Sequence, residues 1–450
     1  MSDNIKKLSS YLKLSYGMAD FGFILMVTMS NTYLLLFYTD FAGITAAAAG
    51  TLMMVGRIFD SISPPIIGAV IEKSNMKWGK YRSWILIGAP LIFVFNTVLF
   101  LNIQIPMPGK AILACIIYTV FCISTNISYT GYTSLNSSLT DDPKERVRLS
   151  TVRGQGNALG KALAGFLLLP LITLCGGGQM NSMGFTITAL IVGGLCWLLY
   201  LNLGRATKGM DIQHTSKVPK SEKLKTGEML RLVFGNKNLL LLFFADVARV
   251  MAMLVMYAMF PYFFKYVVKD IYGASPFFGI VNILSFVGAT SVPLITRRLS
   301  KRNAYLIGNV VLAVTMMLAS VFSSSVTAII TLISIGYIGY SWANVVNTSM
   351  YADTVDYGEW KMGKNARGLY FSMFQLSIKI AAIFSTAIAG FGLSLVGFTP
   401  NMEPSESVVK GIRIIAMGLP AALLLLGAFL LIFYDLNQKK MELIKTELRR

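Results

Sequence analysis

Long apolar runs separated by short polar connections dominate the chain. A run of about 20 apolar residues is long enough to cross a bilayer as a helix. Because lipid offers no hydrogen bonds, the backbone must satisfy its own, and runs without period-two alternation favour helices over membrane strands. The pattern therefore predicts an all-α integral membrane protein with twelve transmembrane helices. The predicted spans are 12–38, 46–71, 84–105, 109–135, 149–174, 182–202, 239–267, 277–296, 304–322, 326–348, 369–395 and 408–434.

The polar stretch 204–236 divides these spans into two sets of six, because it holds no apolar run long enough to cross a membrane. We therefore expect an N-terminal six-helix bundle at 1–203, a cytoplasmic linker at 204–236, a C-terminal bundle at 237–435 and a cytoplasmic tail at 436–450. Matching basic connections at 77–82 and 297–302 indicate a duplicated unit. Such repeats rock about a site near the bilayer midplane, which is the alternating-access design of secondary transporters.

The composition excludes a soluble protein. Hydrophobic residues make up 55% of the chain and charged residues 14%, which lies outside the range of soluble domains. The chain also lacks the GxxxxGK[ST] motif of nucleotide-driven pumps. With no paired nucleophile and base and no metal-ligand cluster, the sequence predicts a transporter and not an enzyme.

The bases that make the net charge +19 stand in short connections on one predicted side. By the positive-inside rule this side is cytoplasmic, which places both termini in the cytoplasm and the protein in a bacterial inner membrane. The charge is thus a topology signal, and we expect no nucleic-acid partner. Bases on this side include Lys73, Lys77, Lys80, Arg82, Lys144, Arg146, Arg148, Arg297, Arg298, Lys301 and Arg302.

Charges inside a membrane span are expensive, so each needs a reason. Arg57 and Asp60 stand one turn apart in the second span. Either they neutralise each other, or Asp60 exchanges a proton or ligates a cation. Pro64 and Pro65 follow one turn later and remove backbone donors, which predicts a local break in the helix with carbonyls free to face a cavity.

Other spans carry buried charges as well. Lys379 lies too deep in the eleventh span to reach water easily, so it requires an anionic ligand or a carboxylate, for which Asp60 is the natural partner. Asp246 and Arg249 stand one turn apart in the seventh span, and Asp20 lies in the first. For these three the favoured interpretation is a packing or gate salt bridge. Asp20, Asp246, Arg249 and Lys379 are also candidate substrate contacts.

The fifth span carries Arg153 and Lys161 beside a ladder of small residues, Gly156, Gly160 and Ala164. Small residues one turn apart let another helix approach closely, so the ladder indicates packing. Arg153 either orients substrate or extends to water at the cytoplasmic end of the span.

Sugar pockets combine an aromatic ring for the apolar face of the sugar with polar groups for its hydroxyls. Both halves offer such side chains, although most aromatic residues in membrane helices pack or anchor the helix. The candidates are Tyr16, Asn126, Tyr129, Tyr132, Trp342, Asn344, Phe374 and Gln375.

Several motifs resemble the glycoside/pentoside/hexuronide:cation symporter family of the major facilitator superfamily, and the resemblance covers nearly the whole chain. They stand at 15–22, 37–40, 57–60, 78–82 and 142–146, with the most specific one, from Ala352 to Trp360, after the tenth span. The resemblance implies a sugar site between the halves and a cation site near the second span. It also implies that Asp60, Arg57 and Lys379 take part in cation coupling, and that Phe374 and Gln375 contact the sugar.

The sequence departs from the family pattern at positions that bear on the cation and the sugar. The family has a second aspartate one turn after the first, where this chain has Pro64, so a proton carried by Asp60 is the simpler proposal, while a sodium site near Asp60 stays possible. Melibiose-type members hold galactosides with two acidic residues, whose positions here are Ile24 and Tyr129. A melibiose-like substrate is therefore not expected.

A cytoplasmic gate is a further implication of the resemblance. Its entry motif to the eleventh span is altered here, where the chain reads Asn365-Ala366-Arg367-Gly368. The charged residues assigned to the gate are Lys80, Arg82, Asp353, Asp356 and Arg367.

The leading hypothesis is cation-coupled symport of a sugar or glycoside, with H⁺ favoured over Na⁺. Because Arg57, Arg153, Arg249 and Lys379 outnumber the remaining carboxylates, the substrate is expected to be anionic, such as a uronide, a glucuronide or a sulfonated sugar. The alternative is an uncoupled facilitator or exchanger, which the loss of the second aspartate favours. We expect a monomer in the lipid bilayer with substrate and coupling cation but no other cofactor.

Two amphipathic segments lie outside the spans. Residues 221–234 of the linker predict a short helix that braces the halves. Residues 435–450 predict a basic helix suited to an anionic lipid surface.

Overall fold

The computed structural model describes residues 8–140, 142–210, 226–364 and 366–448. In these residues the regular structure is helical throughout. Residues 211–225, which form the middle of the predicted linker, lie outside the described residues, as does Asn365. The helices are α1 Ser10–Leu36, α2 Ala46–Lys73, α3 Lys80–Leu99, α4 Gly109–Leu139, α5 Pro143–Cys175, α6 Ser182–Ala206, α7 Thr226–Phe234, α8 Lys237–Tyr262, α9 Ala274–Arg298, α10 Lys301–Val321, α11 Val326–Met362, α12 Arg367–Leu395, α13 Glu406–Arg413, α14 Leu419–Ile432 and α15 Gln438–Leu448.

Twelve helical segments among the described residues are long and apolar enough to cross a membrane, which confirms the predicted all-α fold with twelve spans. α13 and α14 form one of these spans, because a π-helical turn at Ile414–Gly418 joins them. The predicted tail helix is confirmed as α15. The part of the predicted linker helix that the structure describes is α7, and its first residues lie outside the described ranges.

Two helices extend well beyond their apolar runs. α5 begins at Pro143, where the side chain of Asp142 caps it by accepting from the Lys144 amide at 2.9 Å. α11 continues to Met362 and ends at Gly363, whose φ of 69° reverses the chain. The acidic motif from Ala352 to Trp360 was expected after the tenth span, but it is part of α11. An apolar run marks only the part of a helix that lies in lipid, whereas capping decides where the helix ends.

The helices group into two compact units. One contains α1–α6 together with Ala274–Gly279 and Leu393–Met402, and the other contains α7, α8, Ile280–Gly392 and the chain from Glu403 to the end of α15. In the first unit α1 packs on α5 and α6, and α4 packs on α2 and α3. In the second unit α10 packs on α11 and α14, and α14 packs on α8.

Each unit contains the same local irregularity. α1 passes into a π-helical turn at Phe37–Phe41, and α8 passes into one at Phe263–Val267. The amide of Ala42 donates to the carbonyl of Phe37, and the amide of Val268 donates to that of Phe263 in the same way. The two helices are thus repeats in register, which agrees with the predicted duplication.

Candidate functional site

The second span presents a buried carboxylate with a loosely held arginine. Asp60 is 7% exposed, and its Oδ1 accepts from Nδ2 of Asn126 at 2.9 Å. Nη1 of Arg57 lies 3.8 Å from Oδ2 of Asp60, while its Nη2 donates to Oδ1 of Asn31 on α1. Arg57 therefore divides its donors between a carboxylate and an amide. The arrangement leaves the charge of Asp60 only weakly neutralised by its own helix.

The predicted break at Pro64 and Pro65 is wrong, because α2 runs without interruption from Ala46 to Lys73. Pro64 has no N–H to donate to the carbonyl one turn earlier, which belongs to Asp60. Nδ2 of Asn126 donates to that carbonyl at 3.0 Å instead. A neighbouring helix thus supplies the missing donor, which is how membrane helices tolerate proline.

Asp20 on α1 is another buried carboxylate of this unit. It is 1% exposed, and its Oδ2 accepts from Nδ2 of Asn157 on α5 at 3.3 Å. Its Oδ1 accepts no well-formed hydrogen bond among the described residues, although the hydroxyl of Tyr129 lies within reach of the carboxylate. Arg153 and Lys161 of α5 are the nearby positive charges. The predicted substrate residues Asp20 and Arg153 are thus brought together.

The ladder of small residues brings α5 against the backbone of α1. A Cβ built on Gly156 would lie 2.1 Å from the carbonyl oxygen of Gly17, and one built on Gly160 would lie 2.9 Å from that of Phe21. Only glycine permits this approach, so the contact assigns the ladder to packing. The same contact sets the distance between the polar face of α5 and Asp20 on α1.

The aromatic candidates of the N-terminal unit pack against one another. The rings of Tyr16 and Tyr132 stack at 4.5 Å, and the hydroxyl of Tyr132 donates to the carbonyl of Tyr16 at 2.9 Å. Both side chains are fully buried, so neither ring has a face open to a sugar. Tyr129 stacks on Phe23 at 4.5 Å and is only half-buried. Of the three tyrosines, Tyr129 is the one placed to contact a ligand.

Asp246 and Arg249 form a closed network in the C-terminal unit. Nη2 of Arg249 lies 2.6 Å from Oδ1 of Asp246, which also accepts from Asn347 at 3.0 Å. Oδ2 of Asp246 accepts from Ser377 at 2.5 Å. Both charged side chains are buried, so this pair is satisfied within the unit. The favoured interpretation was a packing or gate salt bridge; the salt bridge is present, and whether it belongs to a gate stays a prediction.

The network extends from Arg249 to α11. Its Nη1 donates to the hydroxyl of Tyr340 at 2.8 Å and to Oδ1 of Asn344 at 3.1 Å. Asn344, a predicted sugar contact, is therefore tied to Arg249, although part of it remains exposed. Its exposed portion is the part available to a ligand.

The remaining C-terminal candidates are spread along α11 and α12. Trp342 donates from Nε1 to the hydroxyl of Ser291 at 2.9 Å, and Phe374 packs against Tyr351 at 5.2 Å. Gln375 is exposed, and Lys379, half-buried, lies one turn further along the same helix face. The pairing of Lys379 with Asp60 stays a prediction.

The predicted gate residues make contacts within their own units. Lys80 bonds to Glu72 at 2.5 Å, and Nε of Arg82 donates to the carbonyl of Gly204 at 2.5 Å. Arg82 and Lys80 thus brace the connection between α2 and α3 and the end of α6.

The gate residues of the C-terminal unit follow the same pattern. Lys301 lies 2.6 Å from the carboxylate of Asp353, which is buried. Arg367 lies over the ring of Phe371 at 5.9 Å. Asp356 is half-buried next to Asp353. Their part in a gate stays a prediction.

Sequence reasoning missed several uncharged polar partners of the buried charges. Asn31, Asn157, Asn347 and Ser377 each bond to a charged side chain from a different helix. A signal existed for one of them, because Asn157 lies one turn from both Arg153 and Lys161 and completes a polar stripe on α5.

Comparisons with known proteins identify the family. The family model described as MFS/sugar transport protein matches residues 15–438. The isoprimeverose transporter of Lactiplantibacillus pentosus is 30% identical over 433 residues, covering 95% of this chain and 88% of that protein. The glucuronide carrier protein homolog of Escherichia coli strain K12 is 27% identical over 452 residues, covering 98% of this chain and 96% of that protein.

The fold agrees with this assignment. The crystal structure of a D-xylose-proton symporter matches with a TM-score of 0.67 at 14% sequence identity, covering 94% of this chain and 97% of that one. The resemblance noted in the sequence is thereby confirmed. The chain belongs to the MFS/sugar transport protein family, within its glycoside and hexuronide symporters, and is a multi-pass membrane transporter of sugars and not an enzyme.

Proposed function

We propose that this protein is a proton-coupled symporter of a sugar or glycoside in which Asp60 carries the coupling proton. The observation that carries the proposal is the looseness of the Arg57–Asp60 pair, at 3.8 Å, against 2.6 Å for Arg249 and Asp246. An ionisable side chain inside a membrane span indicates a functional site by default. The ion pair of Asp60 with the arginine of its own helix is longer than that of Asp246, which makes Asp60 the better candidate for carrying a proton.

A proton is favoured over sodium because the site offers a single carboxylate. Pro64 occupies the position where the family pattern has a second acid. Asn126 bonds to the carboxylate of Asp60 and also to the hydroxyl of Ser63, at 2.8 Å. A hard cation needs several oxygen ligands, whereas a proton needs one. Arg57 and Lys379 are proposed to respond to the charge of Asp60.

The proposed substrate is an anionic sugar, such as a uronide, a glucuronide or a sulfonated sugar. Arg57 and Arg249 each bond to side chains of their own unit, so the support comes from Arg153 and Lys161 on the polar stripe of α5. The similarity to a glucuronide carrier homolog supports an acidic sugar. The similarity to an isoprimeverose transporter supports a neutral one, so substrate charge must be tested.

Uptake into proteoliposomes tests both parts of the proposal. Purified protein is given an imposed proton gradient and, separately, a sodium gradient, with methyl β-D-glucuronide, sulfoquinovose and isoprimeverose as labelled substrates. We expect proton-driven accumulation of the acidic sugars, lost in Asp60→Asn. Asp435→Asn, which changes a carboxylate beyond the last span, is the matched control and should accumulate sugar as the wild type does.

Other outcomes would replace the proposal with a defined alternative. Accumulation driven only by sodium would assign a sodium site to Asp60. Equilibration that ignores both gradients and is unchanged in Asp60→Asn would identify an uncoupled facilitator. A preference for isoprimeverose would end the anionic-substrate hypothesis.

We also propose that both termini face the cytoplasm of a bacterial inner membrane. The support is the concentration of bases in the connections after α2, α4 and α9. Cysteine accessibility tests this: a cysteine replacing Lys77 should react only with reagents that reach the cytoplasm. Labelling of this cysteine by a membrane-impermeant reagent added outside intact cells would show the opposite orientation.

A further inference from the structure

Asp20 and Asp246 occupy the same place in the two copies of the repeat. Each lies the same number of residues before the π-helical turn that ends its helix, at Phe37 and at Phe263. Their partners correspond as well, because Asn157 and Ser377 lie the same number of residues before the ends of α5 and α12. The two units therefore share one aspartate site, held between the first and fifth helix of each repeat.

The C-terminal copy of this site is closed. Arg249, one turn after Asp246, forms an ion pair with it in the same helix, and both oxygens of Asp246 accept hydrogen bonds. Arg249 also lies over the ring of Tyr340, at 5.3 Å. With its oxygens bonded to an arginine, an amide and a hydroxyl of the same unit, Asp246 fits a structural role.

The N-terminal copy lacks the arginine. Phe23 stands one turn after Asp20, where Arg249 follows Asp246, and it stacks on Tyr129. Asp20 is as buried as its counterpart, yet it has no ion pair on its own helix: among the described residues Oδ1 accepts no well-formed hydrogen bond, Oδ2 accepts from Asn157 at 3.3 Å, and the hydroxyl of Tyr129 lies within reach of the carboxylate. A buried, half-satisfied carboxylate is unfavourable unless a proton or a ligand completes it.

The charges that act on Asp20 come from α5. Arg153 and Lys161 lie one turn before and one turn after Asn157, on the same face of the helix. On α2, Arg57 bonds to Asn31 and Asp60 bonds to Asn126. The other titratable side chains around Asp20 are phenols and one thiol, which carry no charge near neutral pH. They are Tyr16 on α1, Tyr129 and Tyr132 on α4, and Cys196 and Tyr200 on α6.

We propose that Asp20, Arg153 and Lys161 form a second proton site, which fills when the acidic group of a ligand binds to Arg153 and Lys161. The proton moves from water to a carboxylate oxygen of Asp20, and no bond in the ligand changes. This inference rests on the proposed function in one respect, namely that the ligand is anionic. It adds that the acidic group itself draws in a proton.

The coupling follows from charge. An incoming carboxylate or sulfonate takes the donors that balance Asp20 and repels its charge, so it favours the protonated form of Asp20. By linkage, protonation of Asp20 raises the affinity for the anion by the same factor. A neutral sugar has no such effect, so the second proton should accompany only acidic ligands.

Calorimetry measures this proton directly. Full-length protein is titrated with methyl β-D-glucuronide in buffers of different ionisation enthalpy. The slope of the measured binding enthalpy against the ionisation enthalpy of the buffer gives the number of protons taken up per ligand. We expect Asp20→Asn to take up about one proton fewer than the wild type. With methyl β-D-glucoside, the neutral match, wild type and variant should agree. Equal uptake with the glucuronide in wild type and Asp20→Asn would overturn the proposal.

Asp60→Asn separates this inference from the proposed function. If the coupling assigned to Asp60 is wrong but the second site exists, Asp60→Asn takes up as many protons as the wild type while Asp20→Asn takes up fewer. If the reverse holds, only Asp60→Asn differs.

Infrared spectroscopy gives a test that needs no sugar. The carboxylic acid band is followed as the pH falls, with and without inorganic sulfate as the anion. In the wild type, sulfate should make part of this band appear at a higher pH. This part of the band should be missing in Asp20→Asn. In Phe23→Arg, which places an arginine one turn after Asp20 as Arg249 follows Asp246, sulfate should not shift it. A band that is identical in wild type and Asp20→Asn would reject the second site.

Discussion

Asn126 on α4 donates its side-chain amide to the backbone carbonyl of Asp60, at 3.0 Å, and to the carboxylate of the same residue, at 2.9 Å. One amide therefore stabilises a helix that contains two prolines and also orients the carboxylate proposed to carry the coupling proton. A change at Asn126 should therefore affect both the stability of α2 and the proposed coupling.

We expect Asn126→Ala to weaken both the fold and the coupling. The substitution leaves the carbonyl of Asp60 without a donor, which costs about 1–3 kcal/mol for a buried group. The thermal unfolding midpoint should fall, and less sugar should accumulate per imposed proton gradient. Asn136→Ala is the matched control on the same helix, because Asn136 makes one exposed bond, to Ser150. Equal melting of the two variants would show that α2 does not depend on Asn126.

Arg249→Met should be among the most destabilising single changes. It leaves the carboxylate of Asp246 buried without its ion pair, and breaking such pairs costs about 3–5 kcal/mol. The double variant Asp246→Leu with Arg249→Met removes both charges and should regain part of the loss. Thermal unfolding in detergent measures all three proteins. If the double variant melts below the single one, the pair contributes through more than its charges.

Gly156→Ala should loosen the contact between α1 and α5. Its Cβ would lie 2.1 Å from the carbonyl oxygen of Gly17, so the helices must separate, and overpacking of this kind costs about 1–3 kcal/mol. Gly154→Ala, on the same helix, meets nothing within 4 Å and should be neutral or stabilising by up to about 1 kcal/mol. Unfolding midpoints should fall in the first variant and hold in the second. A stable Gly156→Ala protein would mean that α5 has room to move away from α1.

Ile444→Asp should detach the tail helix α15 from the C-terminal unit. Ile444 is fully buried in that core, whereas its neighbour Leu443 is exposed. Fully burying such a side chain is worth about 1.5–3 kcal/mol, and an aspartate cannot replace it. Limited trypsin digestion should cleave the tail of Ile444→Asp faster than that of Leu443→Asp. Equal cleavage would place the stability of α15 elsewhere, for example in the bond between Trp360 and Glu447.

Apolar run length and the polar linker were enough to predict the twelve spans and the repeat, because the bilayer imposes both. The continuous helix at Pro64 was not predictable in this way. Its missing donor comes from Asn126, which is distant in sequence, and sequence periodicity carries no information about such a partner.

The candidate site shows the same division. Buried charges such as Asp20, Asp60 and Asp246 stand out in an apolar sequence, since each is expensive in lipid. Which of these carboxylates has its hydrogen bonds and ion pair satisfied depends on residues without a distinctive sequence signal, such as Phe23 and Ser377. The difference between Asp246, which has an arginine one turn later, and Asp20, which has a phenylalanine there, appeared only when the two units were compared residue by residue.

The glycine contact between α1 and α5 has a mechanical consequence. Two helices in backbone contact over successive turns have no layer of side chains between them. We therefore expect α1 and α5 to move together as one rigid body within their unit. Arg153, Asn157 and Lys161 should then keep their distances to Asp20 when α1 moves. On that expectation, the proposed second site would respond to a ligand by a change of protonation and not by a rearrangement of its helices.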